Sequence, residues 1–141
     1  MNEAFWDDMN YFKNAYDEMI SQVCQKFNIN PAECNIILFL SKNKDDTATD
    51  IVKYTGYSKS NVSTAIRKLE LSDYLETICL DSNRRTIHLK LKDKSKPVVS
   101  YYQRQKKKLE EDGETAHPAV VAHWRSIVNG NVPFGYTVKD E

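Results

Sequence analysis

Thr47-Ala48-Thr49-Asp50-Ile51-Val52-Lys53-Tyr54-Thr55-Gly56-Tyr57-Ser58-Lys59-Ser60-Asn61-Val62-Ser63-Thr64-Ala65-Ile66-Arg67-Lys68-Leu69 is the stretch that decides the fold. Ala48, Ile51, Val52 and Tyr54 or Thr55 space their apolar groups as a short helix over residues 47–55. Gly56 follows, suited to the left-handed conformation that ends a helix. Ser58 is a helix N-cap for Lys59–Ser72, where Val62, Ile66 and Leu69 fall at i, i+4 and i+7. Two short helices joined by a Gly-containing turn form the helix-turn-helix pattern.

Downstream, Thr77–Leu80 and Thr86–Leu91 are β-prone. Ile87, Leu89 and Leu91 alternate with His88, Lys90 and Lys92, as in a half-buried strand. Between the runs lies Asp81-Ser82-Asn83-Arg84-Arg85, a polar turn ending in two guanidinium groups. A hairpin with a basic tip directly after a helix-turn-helix is a winged helix. The expected class is mostly α with a small β-hairpin wing.

Upstream, Phe5, Met9, Phe12, Tyr16, Met19, Val23 and Phe27 trace the apolar stripe of a long amphipathic helix, widened by Trp6, Tyr11 and Ile20. Asn30-Pro31-Ala32-Glu33 starts a second helix. Asn30 is its N-cap, Pro31 stands where a missing N–H costs nothing, and Glu33 completes a loose capping box. That helix contains Ile36–Leu40, apolar all round and therefore expected at the centre of the core. After Pro97, Val98, Tyr102, Gln105 and Leu109 define another long helix, expected to break at Asp112-Gly113. Val120, Val121, Trp124, Ile127 and Val128 mark a shorter one over 119–128, and 129–141 read as a tail.

These residues and motifs resemble the MarR family of bacterial winged-helix regulators. The resemblance is carried by Ala48–Val52, Tyr57–Ser63, Ile66–Glu70, Asp73-Tyr74-Leu75, the wing Asp81–Arg85 and Leu89–Lys96. It spans residues 3–128 in element order and is specific over 47–96. Two departures stand out. The wing tip is about one residue shorter than the family's Asp/Arg pattern, and Ser72-Asp73 replaces the usual Lys-Gly corner.

The resemblance implies one domain over 1–141, with a DNA-binding core at 31–96 and dimerisation helices at 1–29 and 97–128. It assigns dimerisation to Phe5, Met9, Phe12, Tyr16, Tyr102, Leu109, Trp124 and Ile127. The implied function is a homodimeric, sequence-specific regulator, a repressor released from a palindromic operator in double-stranded DNA by a small effector. The competing reading is a winged-helix protein-interaction module, or an anti-regulator, that does not itself bind DNA.

Composition agrees with a single globular domain. The 141 residues are 40% hydrophobic and 28% charged, and a chain this long buries roughly two-thirds of its unfolded surface without metal or disulfide staples. Net charge is zero, with 20 basic and 20 acidic side chains, but the signs segregate. Residues 1–50 carry four basic and nine acidic groups, residues 51–108 fourteen and five, and residues 109–141 two and six. A centre at +9 between acidic flanks is the asymmetry of a polyanion binder. No apolar run approaches a membrane span, and the start Met-Asn-Glu with Asp7 and Asp8 lacks the pattern of a secretory signal. A cytoplasmic location without membrane association is expected.

Ser58, Lys59, Ser60, Asn61, Ser63, Thr64, Arg67 and Lys68 lie off the apolar face of the second helix of the motif. A solvated polar face is the plain reading. The following wing and the basic, short-chained start of the helix favour DNA contact. Ser58, Ser60 and the helix N–H groups suit phosphates, while Asn61, Ser63, Thr64 and Arg67 suit base edges. Arg84 and Arg85 are assigned to DNA as well, with Asp81 orienting one guanidinium. Arg104 and Lys106–Lys108, followed by Glu110–Asp112, read as a solvated face with i,i+4 pairing.

Cys24, Cys34 and Cys79 are odd in number and include no CxxC, so reduced thiols are expected. Cys24 and Cys34 sit in apolar patterns and read as buried and inert. His117 and His123 with Cys24 or Glu18 fit no compact ligand spacing, so no metal site is assigned. Phe5, Trp6, Tyr11, Tyr16, Tyr101 and Tyr102 fit an effector pocket or ordinary packing equally well. No nucleophile, metalloprotease or phosphate-loop motif is present. Neither enzyme activity nor a cofactor is expected.

Overall fold

The α2 helix, Pro31–Lys42, sits at the centre of the core, and every residue from Glu33 to Phe39 is buried. Its start is the capping box expected from Asn30 and Glu33. Glu33 N–H donates to Asn30 Oδ1 at 2.8 Å, and Asn30 N–H donates to Glu33 Oε1 at 2.9 Å. The computed structural model describes residues 3–42, 46–79, 86–114 and 122.

Around α2 stand α1 (Glu3–Phe27), α3 (Ala48–Thr55), α4 (Lys59–Leu71), β1 (Leu75–Ile78), β2 (His88–Leu91), a 3₁₀ turn at Asp93–Ser95, and α5 (Lys96–Glu114). The α1 stripe packs against α5 and α2 and buries Met9, Phe12, Tyr16, Met19, Ile20 and Val23. Asn28 ends α1 in the left-handed region (φ 55°), which lets Ile29 N–H reach back to Cys24 O at 3.0 Å. Ile29 itself is buried, so the chain turns sharply into α2.

The helix-turn-helix forms as expected, with one difference at its start. Thr47 is not the first helical residue but the N-cap of α3. Its side chain accepts from Asp50 N–H and the Asp50 carboxylate accepts from Thr47 N–H, a second capping box. Gly56 closes α3 with φ 75°, and its N–H bonds Val52 O. Ser58 caps α4, accepting from Asn61 N–H at 3.1 Å.

The hairpin is antiparallel and pairs Leu75 with Leu91 and Ile78 with His88. Its first strand starts two residues earlier than the β-prone run implied, and Cys79 falls outside it. Burial explains the shift. Leu75 is core, and Asp73 (φ 66°) turns the chain straight into the strand as Tyr74 N–H bonds Leu69 O at 2.9 Å. Asp73 thus takes a left-handed corner at the point where Ser72-Asp73 departs from the Lys-Gly pattern noted above. A second correction concerns α5, which continues through Asp112-Gly113 to Glu114. One glycine near a helix end costs only about 1 kcal/mol.

Candidate nucleic-acid interface

Helix α4 divides cleanly into two faces. Val62, Ala65, Ile66 and Leu69 are buried against α2 and α3, whereas Lys59, Ser60, Asn61, Ser63, Thr64, Arg67 and Lys68 are exposed. The exposed side begins at the Ser58 cap, where the unsatisfied N–H groups of the first turn carry the positive end of the helix dipole. The α4 positions assigned to DNA from the sequence therefore share one solvent-facing surface. Asp81, Arg84 and Arg85 lie outside the described residues.

Two side chains on this surface are constrained from behind. Lys68 Nζ lies 3.8 Å from Glu33 Oε2, a carboxylate oxygen buried without a hydrogen bond, so Lys68 serves α2 as well as the surface. Thr77 Oγ1 donates to Glu70 Oε2 at 2.8 Å and fastens α4 to β1. The hairpin is also tied to the other side of the motif. His88 Nδ1 contacts Asp46 Oδ1, and Leu89 N–H bonds Asp46 O at 2.9 Å. The α3 start and the base of the wing are therefore held as one piece, which sequence spacing did not reveal.

The turn between α3 and α4 is locked from the core. Asn35 Nδ2 donates to Tyr57 Oη at 2.8 Å, Tyr57 N–H donates to Thr55 Oγ1 at 3.2 Å, and Thr55 Oγ1 donates to Ile51 O at 2.7 Å. Asn35 is a buried polar residue on a helix whose neighbouring side chains are apolar.

Behind the turn is a cavity of about 350 Å³ lined by Tyr16, Asp17, Ile20, Ser21, Cys24, Pro31, Asn35 and Tyr57. Of the five described aromatics among those weighed as pocket residues, only Tyr16 lines it. Tyr102 is buried and hydrogen-bonded to Tyr16, Tyr101 stacks edge-on against Phe27 with centroids 5.9 Å apart, and Trp6 and Tyr11 are exposed. The Phe5 side chain is outside the described set.

Met9, Phe12, Tyr16 and Tyr102 are buried within the single chain, and Leu109 is half-buried against the same core. Trp124 and Ile127 lie outside the described residues, as do His117 and His123. Along the basic run on α5, Arg104, Lys107 and Lys108 are exposed, with Lys107 Nζ 4.0 Å from Glu111 Oε1, whereas Lys106 is half-buried with its ammonium 5.8 Å from the Tyr102 ring centroid. Among the described residues, no group of three His, Cys, Asp or Glu side chains is placed to hold a metal ion. No described helix is long and apolar enough to cross a membrane.

With this geometry in place, comparison with known proteins is specific. A MarR-family model matches residues 27–85. No curated protein matches the sequence. RV1404 from Mycobacterium tuberculosis has a similar structure, with a TM-score of 0.71 at 16% identity over 95% of this chain and 94% of that one. Transcriptional regulator Tm0710 from Thermotoga maritima aligns with a TM-score of 0.68 at 16% identity over 91% and 94%. An S. aureus MepR–DNA complex aligns with a TM-score of 0.62 at 15% identity over 85% and 90%. The chain thus carries the MarR-family sequence module across residues 27–85, set in the winged-helix fold of the MarR-family transcriptional regulators.

Proposed function

We propose that the protein is a sequence-specific, double-stranded DNA-binding transcriptional regulator that acts as a homodimer in the cytoplasm. The observation that carries this reading is the α4 surface: a helix fixed by its buried side and by the Ser58 cap, offering Ser60, Asn61, Ser63, Thr64 and Arg67 to solvent. Phosphates suit Ser58, Lys59, Ser60 and the first-turn N–H groups, and base edges suit Asn61, Ser63, Thr64 and Arg67. In this reading Arg84 and Arg85 also contact DNA, with Asp81 orienting one guanidinium for the flanking minor groove. The similarity to a MepR–DNA complex supports DNA as the partner.

Segments 1–29 and 97–128 supply the dimer contacts. Two α4 helices then enter successive major grooves about one helical turn apart, which makes the operator palindromic. Repression relieved by a small effector is consistent with the cavity behind the Tyr57 turn, whose volume falls within the range of small-molecule sites. An effector acts there through a higher affinity for the conformation that does not fit DNA.

The test is selection of bound fragments from genomic DNA, followed by titration of the recovered site at two salt concentrations. The expected result is a palindromic site whose affinity falls by about 0.9 log unit per phosphate contact for each tenfold rise in salt. A folded dimer that recovers no site, with salt-insensitive binding, overturns the reading in favour of a protein-interaction module.

A further inference from the structure

Glu33 brings a carboxylate into the core. It stands in the first turn of α2 with only 2% of its side chain exposed, and its two oxygens have different duties. Oε1 accepts from Asn30 N–H at 2.9 Å and closes the capping box. Oε2 is buried without a hydrogen bond, and Lys68 Nζ stands 3.8 Å from it. The Tyr74 phenol, raised by burial and then by the Glu33 charge, donates to Phe27 O at 3.3 Å and not to this oxygen. A capping box at a solvated helix end is simpler, because water satisfies the second oxygen there.

Lys68 reaches Glu33 from the last turn of α4, with 64% of its side chain exposed. On the outward side of that helix it follows Asn61 and Thr64 by seven and four positions, which is why the sequence groups it with the DNA-contacting residues. Two anions therefore claim one ammonium. A phosphate at the surface is screened by water and salt, and counterions replace a lysine that leaves it. A buried carboxylate oxygen has no such substitute, and loss of its cation leaves an uncompensated charge in the core. The carboxylate has the stronger claim.

We infer that Glu33 is a positioning residue for the DNA-reading face of α4: it holds the Lys68 ammonium against α2, which fixes the far end of the helix and keeps that charge off the phosphate backbone. Helix α2 then grips α4 at both ends. Ahead of the first turn, Asn35 Nδ2 donates to Tyr57 Oη at 2.8 Å, and in the last turn Glu33 pairs with Lys68. Asn61, Ser63, Thr64 and Arg67, the residues suited to base edges, lie between the two attachments. Rotation of α4 about its axis carries Arg67 away from a base edge, and the two attachments together oppose it. The effect on DNA rests on the regulator reading above, whereas the pairing of Glu33 with Lys68 is independent of it.

The test uses the full chain and DNA titrations over a range of salt. Glu33→Gln is the informative variant, because it keeps an oxygen for Asn30 N–H and removes only the charge. With Lys68 released to a phosphate, the plot of log affinity against log salt should steepen by about 0.9. The ratio of operator to random-DNA affinity should fall, because α4 is then held at one end only. Lys68→Met should keep the wild-type salt slope, whereas Lys59→Met should shallow it by about 0.9. Lys68→Arg retains the cation and should restore both slope and ratio. A merely structural ion pair moves stability and leaves the slope of every one of these variants at its wild-type value except that of Lys59→Met.

Lys68→Met strands the Glu33 charge and is the variant most exposed to misfolding. Glu33→Gln/Lys68→Met removes both charges and should unfold at a higher urea concentration than Lys68→Met alone. A slope shallowed by Lys68→Met, or a wild-type slope and ratio in Glu33→Gln, overturns the positioning role. Equal urea midpoints for Lys68→Met and the double variant overturn the pairing. Wild-type protein that binds no DNA refutes the regulator reading alone, and the urea comparison then still decides whether Glu33 holds Lys68.

Discussion

Tyr16 on α1 and Tyr102 on α5, 86 positions apart in sequence, share a buried hydrogen bond of 3.0 Å between their hydroxyl oxygens, with their rings edge-on at 6.3 Å. Burial pushes both phenols well above their ordinary range, and the Tyr102 charge reinforces the effect at Tyr16. The pair joins the two ends of the described chain through a polar contact inside an apolar seam. Replacing either tyrosine by Phe removes one partner from a buried bond and should cost about 1–3 kcal/mol in urea denaturation. The double Tyr16→Phe/Tyr102→Phe change should cost less than the sum of the two, because no hydroxyl is left behind. Strict additivity would show that the contact contributes nothing.

Gly56 is the one glycine whose conformation the motif requires, with φ 75° between α3 and α4. Gly56→Ala should destabilise by about 1–2 kcal/mol, the cost of placing a Cβ in the left-handed region. The same substitution should weaken DNA binding by more than the loss of folded protein explains, since the turn aims α4. Thermal melts and titrations on one preparation separate the two effects. Unchanged stability would mean that the turn has a second accessible geometry.

Lys42 at the end of α2 is exposed along its length, but partial desolvation of its ammonium and then repulsion from Lys106 lower it to about 8, with Glu110 opposing. The folded state therefore releases this proton before the unfolded state, whose lysine titrates near 10.5. Between those values the unfolded chain holds more protons, so this residue's contribution to stability rises with pH. Tyr16 and Tyr102 act in the opposite sense above pH 10, because only the unfolded chain ionises them there. The measurement is accordingly a difference. Wild type should gain stability relative to Lys42→Gln as pH rises from 8 to 10, and a flat difference would contradict the assignment.

Arg67 and Arg84 should fail in different ways. Arg67 projects from the exposed face of α4, and its loss should remove about 1–3 kcal/mol of discrimination between operator and random DNA. Arg84, assigned to the wing tip, should when changed to Ala weaken binding to every sequence and shallow the salt dependence. Equal losses on operator and random DNA from Arg67→Ala would move that residue to the phosphate backbone.

How far the sequence was legible depended on the range of the interaction. The stripe from Met9 to Val23, the Asn30–Glu33 box, the Gly56 turn and the Ser58 cap were readable because each is set by residues within a turn or two of helix. So was the outward face of α4, since burial of Val62, Ile66 and Leu69 places Asn61, Ser63 and Arg67 on the other side. Strand β1 was read two residues late, because its start is governed by the pairing of Leu75 with Leu91 and by the left-handed corner at Asp73, not by β propensity.

By itself, then, the sequence determined the order and type of the elements, the helix caps and the basic centre of the chain, all of which follow from local backbone preference and side-chain periodicity. Only the tertiary structure decided which distant polar groups meet. Tyr16 with Tyr102, Asn35 with Tyr57 and His88 with Asp46 are contacts between residues far apart in sequence. Their partners are selected by how helices cross in a close-packed core, where a buried polar group must find another, and neither residue type nor spacing announces that choice.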